Sequence, residues 1–292
     1  MLALDRLLPW AFEEDEGAGD LTSLATLDAS TQGRATLLCK QSGVIAGLPL
    51  VERIFKYRRV AAKVQYHCKE GDRVEAGALL LTVEGPLQAL LVCERTILNF
   101  LQRFSGIATS TSQFVQALKG SKTKILDTRK TLPGYRLLDK YSVAVGGGRN
   151  HRMGLYDMVL VKDNHAQACG GVRAAVDKVA VRYAGQFPVE AEVSNLTELE
   201  SLLDAKVDIV LLDNMDDATL ERAISLAREK APTIKLEASG NMNLERVRRL
   251  GPMGLDFISV GALTHSVMAM DISMNIEGAD LKSSQGEIGR PR

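Results

Sequence analysis

Several things that mark particular protein classes are scarce in this chain. Its four cysteines, Cys39, Cys68, Cys93 and Cys169, are scattered, with no CxxC pair and no histidine at a matching spacing. That excludes a zinc site or a disulfide framework as the organising feature and suits a reducing cytoplasm. No charge of one sign is in surplus, since 36 Lys and Arg meet 36 Asp and Glu. A nucleic-acid binder needs a basic face to neutralise phosphates, so none is expected as a partner, and any anion site must be local. Long hydrophobic runs are missing too. ALLLTV and DIVLLD stop after a few residues, far short of the roughly 20 needed to cross a bilayer. The N-terminal MLALDRLLPWAFEEDEG has Pro9 and a run of acids where an export signal needs an unbroken apolar stretch. The expectation is a cytoplasmic protein with no membrane partner.

What is present suffices for a substantial core. The 292 residues are 46% hydrophobic, enough for one large domain and a smaller one. Residues 4–14 read as a short amphipathic helix, followed by the turn cluster GAGDLTS. Between Thr31 and Glu84, short strand-like runs (RATLLCK, GVIAG, KVQYHC, ALLLTVEG) surround one helical segment, LPLVERIFKY. KEGDRVEAGALLLTVEG resembles the hairpins of lipoyl and biotinyl carrier domains, but lacks the context of a modifiable lysine and reads as shared β architecture. CERTILNFLQRFSGIATSTSQFVQAL then has helical spacing, with Gly106 interrupting it. From Thr123 the pattern becomes strand, helix, strand: KILDT, YDMVLVKD, PVEAEVS, VDIVLLDN, TIKLEASG and LDFISVGA alternate with helical segments. Parallel βα units follow, and without a GxGxxG after the first strand they favour a closed or nearly closed barrel over a doubly wound sheet. The tail IEGADLKSSQGEIGRPR is polar and reads as frayed.

In α/β barrels the chemistry gathers where the strands end. Here the ends are Asp127-Thr128-Arg129-Lys130, Lys162-Asp163-Asn164-His165, Glu190-Ala191-Glu192, Asp213-Asn214, Glu237-Ala238-Ser239-Gly240-Asn241 and Val260-Gly261-Ala262. Arg129, Lys130, Arg152 and Lys162 put four cations at one mouth. Like charges a few ångströms apart cost on the order of several kcal/mol at an effective dielectric near 20, so a multiply charged anion is the expected partner. Glu192 and Asp213 are spaced to hold a divalent cation such as Mg²⁺, or to pair with those same cations. Ser239-Gly240-Asn241 and Gly261-Ala262 suit a phosphate held by backbone N–H groups. In GGGRNHR, Gly146 to Arg152, three glycines would let the backbone approach a ligand and Arg152 would grip a carboxylate in bidentate fashion. A Schiff-base enzyme using Lys162 and a non-catalytic anion-binding module are the alternatives at this level.

The segment DTRKTLPGYRLLDKYSVAVGGGRNHRMGLYDMVLVKDNH, with ERTILNFLQRFSGIAT, EAEVSNL, VLLDNM, LEASGN and DFISVGALTHS in the same order, resembles the quinolinate phosphoribosyltransferases of the type II phosphoribosyltransferase fold. The resemblance implies an N-terminal α/β sandwich domain over residues 1–110, onto which 270–292 would pack back, and an incomplete (β/α) barrel over 111–269. It implies transfer of phosphoribosyl from phosphoribosyl pyrophosphate to quinolinate with decarboxylation and Mg²⁺, giving nicotinate mononucleotide for NAD biosynthesis. Thr128, Arg129, Lys130, His151, Arg152 and Lys162 would be quinolinate and pyrophosphate ligands. Glu192 and Asp213 would stand near the ribose and the metal, and Lys130, Lys162, Glu192 and Asp213 would carry the catalysis. Ser239, Gly240, Asn241, Val260, Gly261 and Ala262 would form the phosphate loops. A homodimer is implied, with Arg95 completing the partner's site.

Overall fold

The short apolar repeats of the first hundred residues become an antiparallel sheet. The computed structural model describes residues 2–277, and these form two units, one of residues up to Gly106 together with those from Met268 onward, the other Ile107–Val267. In the first unit α1 (Leu2–Glu16) and α2 (Leu21–Thr26) precede β1 (Gln32–Cys39) and β2 (Gly43–Val44). Then come α3 (Leu48–Tyr57), β3 (Lys63–Tyr66), β4 (Arg73–Val74) and β5 (Leu79–Pro86), before α4 (Leu87–Ala117) leads into the second unit. With β12 (Ile272–Glu277), four strands form a sheet in the order β12-β1-β5-β3, every pairing antiparallel. Leu37, Leu81 and Val83 on the sheet and Val51 and Ile54 on α3 are fully buried.

Two local expectations change. The GAGDLTS turn is a helix start: Asp20 accepts from the N–H groups of Thr22 and Ser23, both at 3.1 Å, which supplies the donors of a first helical turn with an acceptor. Gly106 does not interrupt its helix, since α4 runs through it. A β-carbon at Gly106 would lie 2.1 Å from the Met268 carbonyl oxygen, so the glycine admits a crossing backbone. Of the tail read as frayed, Ile276 and Glu277 belong to β12; 278–292 lie outside the described residues.

In the second unit β6 (Lys124–Leu126), α5 (Arg136–Val145), β7 (Val159–Val161), α6 (Asp163–Cys169), α7 (Val172–Tyr183) and β8 (Val189–Val193) are followed by α8 (Leu196–Leu202), β9 (Ile209–Asp213) and α9 (Asp217–Lys230). Then come β10 (Lys235–Ser239), α10 (Leu244–Leu250), β11 (Phe257–Ser259) and α11 (Ala262–His265). The six strands are parallel, in the order β6-β11-β10-β9-β8-β7. The first strand therefore pairs with the last, as barrel closure requires, while the first and second leave a seam. The backbone of Arg149 lines that seam on the β6 side: its N–H donates to Ile125 (2.8 Å) and its carbonyl accepts from Asp127 (3.1 Å). The α/β class with a sheet domain followed by an incomplete barrel is the architecture found. Among the described residues no helix is long and apolar enough to cross a membrane.

Alternation along the strands divides their residues between two faces. Ala191, Val210, Leu212, Leu236 and Ile258 pack with Val176, Leu199, Leu220 and Val247 of the surrounding helices in one apolar cluster. The intervening positions face the barrel interior, and there Glu190, Glu237 and Ser259 are buried.

Candidate active site

The loop leaving β6 starts from a buried charge pair. Asp127 and Lys140 of α5 are both fully buried, and the Lys140 ammonium donates to Asp127 Oδ1. Burial pushes Asp127 upward and Lys140 downward from their ordinary pKa values, each against the pull of its partner. Beyond Asp127, Thr128 Oγ1 accepts the Lys130 N–H at 3.0 Å. Arg136 donates to the carbonyls of Arg129 (3.3 Å) and Met153 (3.2 Å), tying this loop to the one that follows Arg152. Thr264 of α11 donates to the Lys130 carbonyl at 2.8 Å, and a β-carbon on Gly261 would meet Lys130 Cδ at 3.4 Å. Lys130 thus lies along the end of the sixth strand, beside Val260 and Ala262.

His151 sits where these supports meet. Its N–H donates to Asp127 Oδ1 at 2.8 Å, and its carbonyl accepts from Lys140 at 2.9 Å. Its ring Nδ1 accepts the Arg152 N–H at 2.7 Å, so the ring proton belongs on Nε2. Nε2 lies 2.9 Å from Glu190 Oε2 and 3.7 Å from Glu237 Oε2. The closer contact is at hydrogen-bond distance without full alignment, and neither Glu190 oxygen nor Glu237 Oε2 has a well-aligned donor. Burial alone would lower the His151 pKa, but the Glu190 contact and the Glu237 charge outweigh it and leave it raised. The Arg152 N–H at Nδ1 opposes a second ring proton, and the geometry specifies the neutral Nε2–H ring. Glu237, which accepts from Ser259 Oγ, is pushed up to about 8 by burial first and by the Glu190 charge second.

Arg152 is only 8% exposed, and one guanidinium nitrogen donates to the Met158 carbonyl at 3.1 Å. Burial, then the charge of Arg129, lowers its pKa from the usual arginine value, while Glu190 works the other way. Asp157 fixes the following turn by accepting from Met153 (2.7 Å) and Gly154 (2.9 Å). Arg129, Arg152 and Lys130 therefore gather around the first and last strands.

Lys162 belongs to a second group. It lies 3.6 Å from Glu192, with its own side chain half exposed. Glu192 is raised by burial first, lowered by Lys162 and raised again by Asp213; Asp213 also accepts from the Asn214 amide at 2.7 Å. The two groups are joined through β8, whose alternate residues Glu190 and Glu192 serve Arg152 and Lys162 in turn. A half-exposed, paired lysine is not the desolvated amine that Schiff-base chemistry calls for. A cleft of about 420 Å³ borders Glu192, Asp163, Ser194 and Glu198. Between β9 and β10 the loops are locked together: Arg246 donates to the Gly240 (2.8 Å) and Met215 (2.5 Å) carbonyls. Gly240 has φ +96° and a β-carbon there would collide with Asn214 Oδ1 at 2.1 Å. Asn241 follows with φ +49°. Arg95 is exposed on α4, in the other unit.

The triple glycine is packed closely against the protein's own backbone. A β-carbon at Gly146 would meet the Ala108 carbonyl at 2.4 Å, and one at Gly148 would meet Thr111 and Val143 at 2.8 Å. Gly146 and Gly148 let this segment press against α4 and α5 on its way to the β6 seam, from which the chain continues to His151 and Arg152. Lys140, Glu190 and Glu237 were missed as site residues. A charged residue at an interior strand position, two before a recognised site acid as Glu190 is before Glu192, was the available signal.

Comparison with known proteins gives this geometry a family. Residues 20–105 match the model for the quinolinate phosphoribosyl transferase N-terminal domain, and residues 107–275 that for the C-terminal domain. The chain is 41% identical over 293 residues to quinolinate phosphoribosyltransferase [decarboxylating] 2b, mitochondrial, of Nicotiana tabacum, covering 94% of this chain and 82% of that one. It is 41% identical over 271 residues to a probable nicotinate-nucleotide pyrophosphorylase [carboxylating] of Synechocystis sp., covering 92% of each. Among solved structures, NadC from Streptococcus pyogenes superposes with a TM-score of 0.89 at 39% identity, over 94% of this chain and 96% of that one. With both domain models matched in order and relatives of this identity aligned along almost its whole length, the chain belongs to the quinolinate phosphoribosyltransferase family.

Proposed function

We propose that the strand ends of the second unit bind quinolinate and phosphoribosyl pyrophosphate and join them, releasing pyrophosphate and CO₂ and forming nicotinate mononucleotide, a step of NAD biosynthesis. The observation that carries this reading is the nearly buried Arg152 held against the charge of Arg129, an arrangement that a dianion relieves. Quinolinate presents two adjacent carboxylates to these arginines. The pyrophosphate ester would lie towards Lys130 and Lys162, and the phosphate of the sugar over Ser239-Gly240-Asn241 and Val260-Gly261-Ala262, with Thr128 fixing the Lys130 loop.

As the bond to pyrophosphate breaks, positive charge develops on the ribose, where Glu192 and Asp213 stabilise it. The quinolinate ring nitrogen supplies the electron pair for the new bond. The ring, now cationic, takes up the pair from its bond to the adjacent carboxylate as CO₂ leaves, and that carbon takes a proton from solvent. The chain's contribution is position and charge. Glu192, raised in part by the charge of Asp213, would hold a Mg²⁺ ion together with Asp213, and the ion would help neutralise the leaving pyrophosphate.

The decisive assay follows pyridine dicarboxylate consumption with and without phosphoribosyl pyrophosphate; consumption only when both are present is expected, and none under either condition would refute the reading. We further infer a homodimer in which the exposed Arg95 reaches the partner's site. Mixing Arg95→Ala with Lys162→Ala should then restore part of the activity that each lacks alone, and subunit-exchanged mixtures that stay inactive would exclude shared sites. A cytoplasmic location agrees with four free cysteines.

A further inference from the structure

The barrel interior carries a cost that the transfer reaction does not explain. Glu190 and Glu237 are fully buried, and three of their four oxygens have no well-aligned donor. Burying an acidic group without adequate partners is unfavourable whether it is ionised or protonated, and apolar side chains would fill a barrel without that penalty. Neither group belongs to the ligand set assigned above. What they have in common is the His151 ring: its Nδ1 accepts the Arg152 N–H, and its Nε2 faces Glu190 at 2.9 Å and Glu237 at 3.7 Å.

We propose that Glu190 and Glu237 are positioning residues that act through His151 to hold Arg152 where it receives a quinolinate carboxylate. The chain of contacts is continuous. Ser259 donates to Glu237; the carboxylates draw in Nε2 and so set the ring plane. Nδ1 then fixes the main-chain N–H of Arg152, while Asp127 and Lys140 fix the peptide groups on either side of His151. A bidentate guanidinium–carboxylate pair depends on angle as well as distance, and an arginine whose backbone is fixed at its own N–H keeps that angle.

A metal centre is the competing use of the same atoms, because one ligand atom each from His151, Glu190 and Glu237 lie within 4.8 Å of one another. The 2.9 Å between Nε2 and Glu190 is a hydrogen-bond length, and retention of a metal ion is one of the outcomes that decide between the two uses.

The inference rests on the proposed function, and steady-state kinetics in both substrates separate the two. Wild-type protein that fails to consume quinolinate with phosphoribosyl pyrophosphate would sink the reading; wild-type turnover with unaltered variants would sink only the inference. Glu190→Ala should raise the KM for quinolinate by about tenfold to a hundredfold. The KM for phosphoribosyl pyrophosphate should stay within about twofold, and the melting temperature should not fall, because a poorly partnered buried carboxylate has been removed. Glu190→Gln, whose amide oxygen still accepts from Nε2–H, should recover most of the loss. Glu237→Gln, at the longer distance, should show a smaller shift of the same kind, and it serves as the test if Glu190→Ala does not fold. Three results overturn the proposal: both KM values unchanged, a fall in kcat that tracks lost stability without rescue by Gln, or one tightly held metal ion per wild-type chain that Glu190→Ala loses.

Discussion

On the outer face of the parallel sheet, Ala191, Val210, Leu212, Leu236 and Ile258 meet the apolar stripes of the helices; at the intervening positions inside stand Glu190, Glu192, Asp213, Glu237 and Ser259, with Leu160 and Leu211 among them. The same strands thus serve two solvents. The outer face gains the hydrophobic free energy that holds the unit together, and the inner face gives up part of it to hold charges that an apolar barrel core would exclude. Stability and chemistry are one residue apart in the chain and on opposite sides of the sheet, so each can be altered alone.

The widest separation is expected from Arg152→Ala, which should lower kcat/KM on the order of a thousandfold with little change in the denaturation midpoint; a variant with near-native turnover would remove Arg152 from the inner-face machinery. Leu212→Ala on the outer face should do the reverse. Deleting its fully buried side chain should cost about 3 kcal/mol in chemical denaturation, with kcat/KM per folded molecule unchanged. An equal loss of activity would mean that the two faces are mechanically coupled.

The smallest effect concerns pH. Glu237 has a folded-state pKa of about 8 against an unfolded value near 4.3, so the folded protein binds the extra proton between those limits. The stability this contributes is complete below the unfolded value and is lost as pH rises through the folded one. Glu192, also raised, acts in the same direction. Melting temperatures measured from pH 5 to 8.5 should therefore fall with rising pH, and Glu237→Gln should flatten that slope. An unchanged slope in the variant would show that Glu237 is ionised throughout.

How much of this was legible depends on the range of the interaction. The βα rhythm, the strand-end positions of Arg129, Lys162, Glu192 and Asp213, and the turn at Gly240 follow from local spacing and backbone preference. The continuity of α4 through Gly106 was not legible, because it depends on where Met268 crosses. Nor was the purpose of Gly146 and Gly148, because composition does not say which neighbour occupies the space a β-carbon would take. Lys140 carried no local signal, since nothing near it in the chain announces that Asp127, thirteen positions earlier, lies buried against it.

By itself, then, the sequence determined which residues alternate, which strands run parallel and where cations end them, because hydrophobic period and turn chemistry act over a few residues. The tertiary structure alone decided that the His151 ring meets Glu190 and Glu237, and that the seam admits Arg149 beside β6. Those outcomes depend on side chains from β8, β10 and β11 meeting inside the barrel, and only closure of the sheet brings them together.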